Sequence, residues 1–195
     1  MVDNKPKEKL RQLAKDLGLQ DFSKHALDLS GFDIWTGCAN PKGHHYGKGG
    51  LAQHILEVCE LAQLNNEYLG NPAPKEPLFL ACLFHDVGKL WDYALEDEKY
   101  PKLLVDYSTW KSTDHKKKIH HITRSVLVFH EACRVENWGW WEGMSPDTVI
   151  HAILAHHCRT EWGSPIEPQT KLAWLLHLAD NISARLDDGD RIGGI

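Results

Sequence analysis

Apolar and polar positions follow a helical period along most of this chain. Leu10, Leu13, Ala14 and Leu17 share one face of a segment that opens at Pro6 and is closed by Gly18, a proline suited to a first turn and a glycine suited to a stop. A second short helix is expected over residues 22–29, followed by a glycine-rich loop over 31–50. From about Gly50 to Leu69 the positions Leu51, Ile55, Val58, Cys59 and Ala62 recur at helical spacing. The connector Asn71 to Pro77 leads into an unbroken apolar run, Leu78 to Phe84, which predicts a helix buried on all sides. Asp114 can cap a helix that runs on through His121, Val126 and Phe129 to about Cys133. Ser145-Pro146-Asp147 opens another, with Ser as cap and Pro in the first turn, carrying Ile150, Ile153 and Leu154 to His156-His157. The last, from about Pro168 to Leu186, turns Leu172, Leu175, Leu176, Ala179 and Ile182 inward. Between them, Trp91 to Ser112 reads as a short helix or a hairpin excursion, with strand character at Leu103-Leu104-Val105.

These elements predict an all-α helical bundle with, at most, a small hairpin near 95–112. A chain of 195 residues suits one domain, residues 1–195: a helical extension over 1–40, a core over 41–187 and a tail over 188–195. In that tail, Asp187-Asp188-Gly189-Asp190 reads as solvated rather than as a calcium loop. No stretch has the ~18 to 20 apolar residues of a membrane span, and the polar start Met1 to Arg11 is no secretion signal, so a cytoplasmic protein is expected. The net charge of −5 argues against a broad electrostatic platform for duplex nucleic acid and leaves small anions and short strands open. Cys38, Cys59, Cys82, Cys133 and Cys158 form no CxxC pair and read as reduced thiols.

The chemistry gathers on histidines, of which there are 13. The buried apolar run ends abruptly in His85-Asp86-Val87-Gly88-Lys89, which delivers an imidazole and a carboxylate to a place where free charge is costly. A metal ion is the natural partner for such a pair. Lys89 lies three and four residues on, so it can point to the same place and meet a metal-bound anion. The ordered series His54, His85, Asp86, His121, His156, His157 and Asp180 stands on or at the end of expected helices. A single histidine such as His54 is more often a hydrogen-bonded core residue than a ligand. Side chains from separate helices converging in a bundle core are nonetheless how such folds commonly build metal sites. Lys116-Lys117-Lys118 reads as a solvated face or, less commonly, a contact for a polyanion, and Trp138, Trp140 and Trp141 as a core plug or a base-stacking loop.

HDVGK resembles the defining motif of the HD superfamily of metal-dependent phosphohydrolases. The full series resembles that superfamily's ligand order in its two-metal form. By that resemblance His54, His85, Asp86 and Asp180 hold a first ion, Asp86 bridges, and His121, His156 and His157 hold a second. The donors are all nitrogen and oxygen, which suits manganese, iron, cobalt or magnesium better than a structural zinc. Two ions ~3.5 to 4 Å apart activate a water and stabilise both oxygens of an in-line phosphoryl displacement. The resemblance makes Asp86 and Lys89 the catalytic pair, with Lys89 neutralising phosphate charge. His177 could orient Asp180 or assist a leaving group, but a plain supporting or core role is the more common one for such a residue. Arg124 and Arg159 are candidate phosphate clamps, and His45 a candidate substrate contact.

A closer resemblance covers most of residues 40–185. The segments GHHYGKGGLAQHILEV, LFHDVGK, HHITRS and AHHCRTEWGSPIEPQTKLAWLLHLADNISA look like the catalytic domain of bacterial HD-type 3′-to-5′ exoribonucleases. Those enzymes join an N-terminal nucleic-acid-binding barrel to this domain, whereas about forty residues precede the match here. The expectation is therefore retained chemistry on a different substrate: hydrolysis of phosphodiesters in short single-stranded nucleic acid or in another phosphate-containing small molecule. The alternatives are a nucleotide or deoxynucleotide phosphohydrolase, which a mononuclear site would favour, and a non-catalytic nucleotide- or nucleic-acid-binding module, which missing ligands would favour. Oligomeric state is not readable from the sequence.

Overall fold

The structure, a computed structural model, describes residues 5–29, 37–41, 43–47, 49–95, 110–137 and 145–186. Its organising element is α4, Lys75–Phe84, in which every residue from Pro77 onward is buried. A helix apolar all round needs neighbours all round. They are supplied by α2 (Gln20–Leu27), α3 (Gly50–Tyr68), α7 (His121–Val135), α8 (Pro146–Ala155) and α9 (Lys171–Leu186). Phe79, Phe84, Phe129, Leu51, Ile55 and Leu83 meet in one continuous core. On the outer side α1, Lys5–Asp16, packs Leu10 and Ala14 against α2 and α3. None of the described helices is long and apolar enough to cross a membrane.

Local chemistry sets the element ends. Ser145 accepts a hydrogen bond from the Asp147 N–H at 3.2 Å with Pro146 in the first turn, as the sequence predicts for α8. Asn66 clamps the connector between α3 and α4, donating to the Ala73 carbonyl (2.8 Å) and accepting from its N–H (3.0 Å). The expected hairpin is present at its base: β1, Tyr93–Leu95, pairs antiparallel with β2, Trp110–Ser112, in the register Tyr93↔Ser112. Leu103-Leu104-Val105, Trp138 to Trp141 and the tail from 187 lie outside the described residues. The described cysteines form no disulfide.

One expectation fails. The helix predicted from Asp114 to Cys133 is two helices, α6 (Asp114–Lys118) and α7, broken at Ile119-His120. Asp114 is not the cap: Thr113 stands in that position without a side-chain cap bond, and Asp114 instead pairs with Lys118 at 3.0 Å. The break is tertiary in origin. The first residue of α7 is pressed onto the turn after α4, where a Cβ on Gly88 would lie 2.1 Å from the His121 carbonyl oxygen. Only glycine admits that approach. The turn is completed by the Gly88 N–H donating to Ser125 Oγ (2.9 Å), and by the four-residue helix α5, Lys89–Asp92. Gly50 plays the same part at the start of α3, where a Cβ would meet the His45 carbonyl oxygen at 2.0 Å.

Gly88→Ala should therefore push the start of α7 off the end of α4 and cost about 3 kcal/mol of stability, since a backbone obstruction cannot be relieved by a side-chain rotation. Urea unfolding of the variant, with metal content followed in parallel, checks the size and its effect on the adjoining centre.

Candidate metal centre

Asp86 sits at the middle of the assembly, fully buried just past the end of α4. Four imidazoles aim their Nε2 atoms at it from four directions. His54 (from α3) and His85 lie 3.3 and 3.4 Å from Oδ2; His121 (from α7) and His156 (from the end of α8) lie 3.5 and 3.7 Å from Oδ1. Asp180, from α9, joins the first side, with Oδ1 3.1 Å from His54 Nε2. His157 joins the second, its ring 4.1 Å from that of His156 and 5.3 Å from that of His121. Ligating atoms of His54, His85, Asp86 and Asp180 lie within 4.8 Å of one another, as do those of His121, His156 and His157. All seven residues singled out from the sequence are thus brought together, in two groups that share Asp86.

The other nitrogen of each ring says which state it is in. His85 Nδ1 donates to the Cys82 carbonyl and His156 Nδ1 to the Ile153 carbonyl, both at 2.7 Å. His121 Nδ1 donates to Asp92 Oδ2 at 3.1 Å. His54 Nδ1 donates to Ser183 Oγ (2.9 Å), which itself donates to Glu57 Oε2 (2.8 Å). With these four Nδ1 atoms carrying protons, the Nε2 atoms of His54, His85, His121 and His156 present lone pairs to the carboxylate and to one another; His54 Nε2 and His85 Nε2 are 3.3 Å apart. Lone pairs packed on a carboxylate repel, so the geometry calls for positive charge between them. Among the described residues neither Asp86 oxygen accepts a well-formed hydrogen bond, and His121 Nε2 and His156 Nε2 are buried without a partner. Lys89 Nζ, 2.5 Å from Asp86 Oδ2, supplies charge on one side only. Unpaired buried polar atoms in such number are costly, and these donors fit divalent cations.

Ionisation follows from the same crowding. Burial would raise Asp86, but Lys89 and the imidazoles of His85 and His54 hold its carboxyl well below the usual range. Burial likewise opposes, and His54 overcomes, at Asp180, which is also held low. Burial pushes His121 down to about 4 against the pull of Asp92. It lowers His156 and His157 too. His54 is raised instead: burial works against its proton, yet Asp180 and Asp86 outweigh it.

The centre opens into a cavity of about 490 Å³ whose wall includes Lys89, Lys116, Tyr93, His120, Trp162 and Arg185. Here several sequence expectations need correction. His44, not His45, lines the cavity. Its ring lies 4.9 Å from that of His54, while His45 is turned into the interior with Nε2 3.1 Å from Glu57 Oε2. Arg124 is committed elsewhere, over the Trp91 ring (5.1 Å) and donating to His115 Nε2 (3.2 Å). Arg159 packs over Trp162 at 5.2 Å. Neither lines the cavity. His177 does not orient Asp180; its Nδ1 donates to the His156 carbonyl at 2.7 Å, steadying the end of α8. Lys116, expected on a solvated face, donates to the Tyr93 hydroxyl at 2.6 Å.

The supporting residues went unseen from sequence. Asp92, fully buried, holds His121 by both its N–H and its Nδ1 and takes His115 Nδ1 at 2.7 Å. Glu57 stands three residues after His54, and Ser183 three after Asp180, so helical spacing alone could have marked them as supports.

A model of the HD domain matches residues 51–185 of this chain. The 3′-5′ exoribonuclease YhaM of Bacillus pumilus (strain SAFR-032) is 28% identical over 180 residues, covering 91% of this chain and 52% of that protein. The chain thus spans about half the length of the curated relative it matches. No solved structure matches it.

Without metal, the protein should lose stability as pH falls from about 6.5 towards 4. The unfolded chain takes up protons on His121, His156 and His157 over that span while the folded chain, with these rings depressed, refuses them. His54, raised in the fold, opposes the trend. Below about 3.8 the depressed carboxyls of Asp86 and Asp180 continue the loss. The urea midpoint of chelator-treated protein, followed between pH 7 and 4 at constant m, reads the slope and its sign.

Proposed function

This chain belongs to the HD domain family and carries the His/Asp cluster of an HD-type metal-dependent phosphohydrolase, and from that premise we propose that it hydrolyses phosphodiester bonds in short single-stranded nucleic acid. The observation that carries the reading is the pair of lone-pair clusters facing opposite oxygens of one buried carboxylate. Such an arrangement supports two cations sharing Asp86 rather than one. His54, His85, Asp86 and Asp180 would hold the first, and Asp86, His121, His156 and His157 the second. Five ring nitrogens against two carboxylates favour manganese, iron or cobalt over magnesium. When bound, such a pair supplies an activated water and charge neutralisation for in-line displacement at phosphorus.

The chain's own residues do the rest. Lys89 is nearly buried yet reaches the cavity, so its ammonium is desolvated and strong where a phosphate oxygen would lie. Lys116 and Arg185 add positive charge on the cavity wall, a local reversal of the chain's net −5. Asp92 and the Ser183-Glu57 pair fix ring orientation, so the centre needs no rearrangement when substrate arrives. The likeness to an exoribonuclease supports nucleic acid as the substrate class. A nucleotide phosphohydrolase is the second reading, favoured by the cavity, whose volume suits a single nucleotide.

Manganese-supplemented protein should release mononucleotides from short RNA or DNA in a screen that also contains cyclic dinucleotides and nucleoside triphosphates. Turnover of the triphosphates alone would move the assignment to the second reading. Asp86→Ala should lose metal and activity together; retained metal by elemental analysis would break the shared-carboxylate assignment. Lys89→Ala should keep its metal and turn over roughly 10² to 10³ times more slowly. Undiminished turnover in that variant would remove the phosphate role.

A further inference from the structure

We propose that His120 is a substrate-contacting residue, kept in an unfavourable backbone conformation so that its imidazole faces the phosphoester; the inference rests on the phosphohydrolase reading above. Its φ is 70° and its ψ 148°, a region of the backbone map that is essentially reserved for glycine. The path of the chain imposes this. Gly88 fixes the His121 carbonyl, Asp92 takes the His121 N–H, and the His120 N–H closes back on the His115 carbonyl at 3.0 Å. Residue 120 must therefore reverse the chain between α6 and α7. Glycine would do so without penalty, but the chain has a histidine.

Nothing in the core explains it. The residue is half-buried, and its ring is on the cavity wall with Lys89 and Trp162. A Cβ on Gly163 would stand 4.0 Å from His120 Cε1 and 3.5 Å from His157 Nδ1, a buried nitrogen without a hydrogen-bond partner among the described residues. The ring lies 4.2 Å from that of His121, yet His121 is already held twice by Asp92 and has no need of this contact for its orientation. Asp92, His120 and His121 lie close enough to hold an ion of their own, but Asp92 already accepts from His115 and twice from His121, and the metal content of the variants below separates the two roles. What is left is an imidazole on the cavity wall beside His121, in a cavity that Lys89 also lines. A bound phosphate would take an oxygen to each.

The test compares His120→Gly with His120→Gln in manganese-loaded protein, using inorganic phosphate and a chromogenic phosphodiester as probes. The glycine variant should melt on the order of 5 °C higher, as the strained residue is relieved. It should keep its full metal content, bind phosphate about tenfold more weakly and lose about tenfold in kcat/KM, the value of one neutral hydrogen bond. His120→Gln, which restores a side-chain N–H, should recover part of the phosphate affinity. The proposal is overturned by a glycine variant that binds phosphate and turns over like the parent, by one that does not gain in melting temperature, or by metal loss in either variant. If the parent protein cleaves no diester while the phosphate difference persists, the phosphodiesterase reading falls and the role of His120 stands.

Discussion

The structure depends on burying the charge of Asp86. A carboxylate enclosed by protein is tolerable only when the surroundings supply positive charge, and the fold arranges that supply from every side. Lys89 provides part of it from the next turn. Rings borne by α3, α7 and α8, with a second carboxylate from α9, are in place to share cations for the remainder. These are also the helices that wrap α4, so the packing that makes the core and the convergence that makes the centre are one event.

The price of bringing separate helices to one point is visible in the backbone. Three non-glycine residues with positive φ border the centre: His45 at the loop before α3, His120 before α7, and Cys158 after the pair that ends α8. Two glycines, Gly50 and Gly88, stand where one chain crosses another too closely for a Cβ. The ligand-bearing helices are thus seated by their ends, through short main-chain crossings, as much as by their apolar faces. Strain of this kind persists only where surrounding contacts fix the path, and here Asp92, Ser125 and the His115 carbonyl do so.

Much of this was legible in the sequence because it is written in local spacing. The apolar run that ends in His85-Asp86, the cap at Ser145, and ligand-type residues falling at helix ends or beside buried stripes all follow from a period of 3.6. The break between α6 and α7 was not legible, because the residues on either side continue a helical pattern and the interruption is imposed by Gly88, some thirty residues away. Which of His44 and His45 faces the cavity was likewise undetermined, since a loop has no period to fix a direction. Arg124 and Arg159 looked free to bind phosphate only because sequence does not show the tryptophans that occupy them. Asp92 was overlooked for a related reason: it supports a histidine twenty-nine residues on and resembles any acidic residue at a short helix end.

The scarcity of carboxylates among the clustered side chains carries a consequence of its own. Asp86 and Asp180 are the acidic members of the two groups; the others are imidazoles. With dications held there, two carboxylates would not balance their charge, and Lys89 adds a further positive charge beside Asp86. The shortfall can be made good by an incoming anion. Discrimination would then begin with charge, before the cavity wall reads shape.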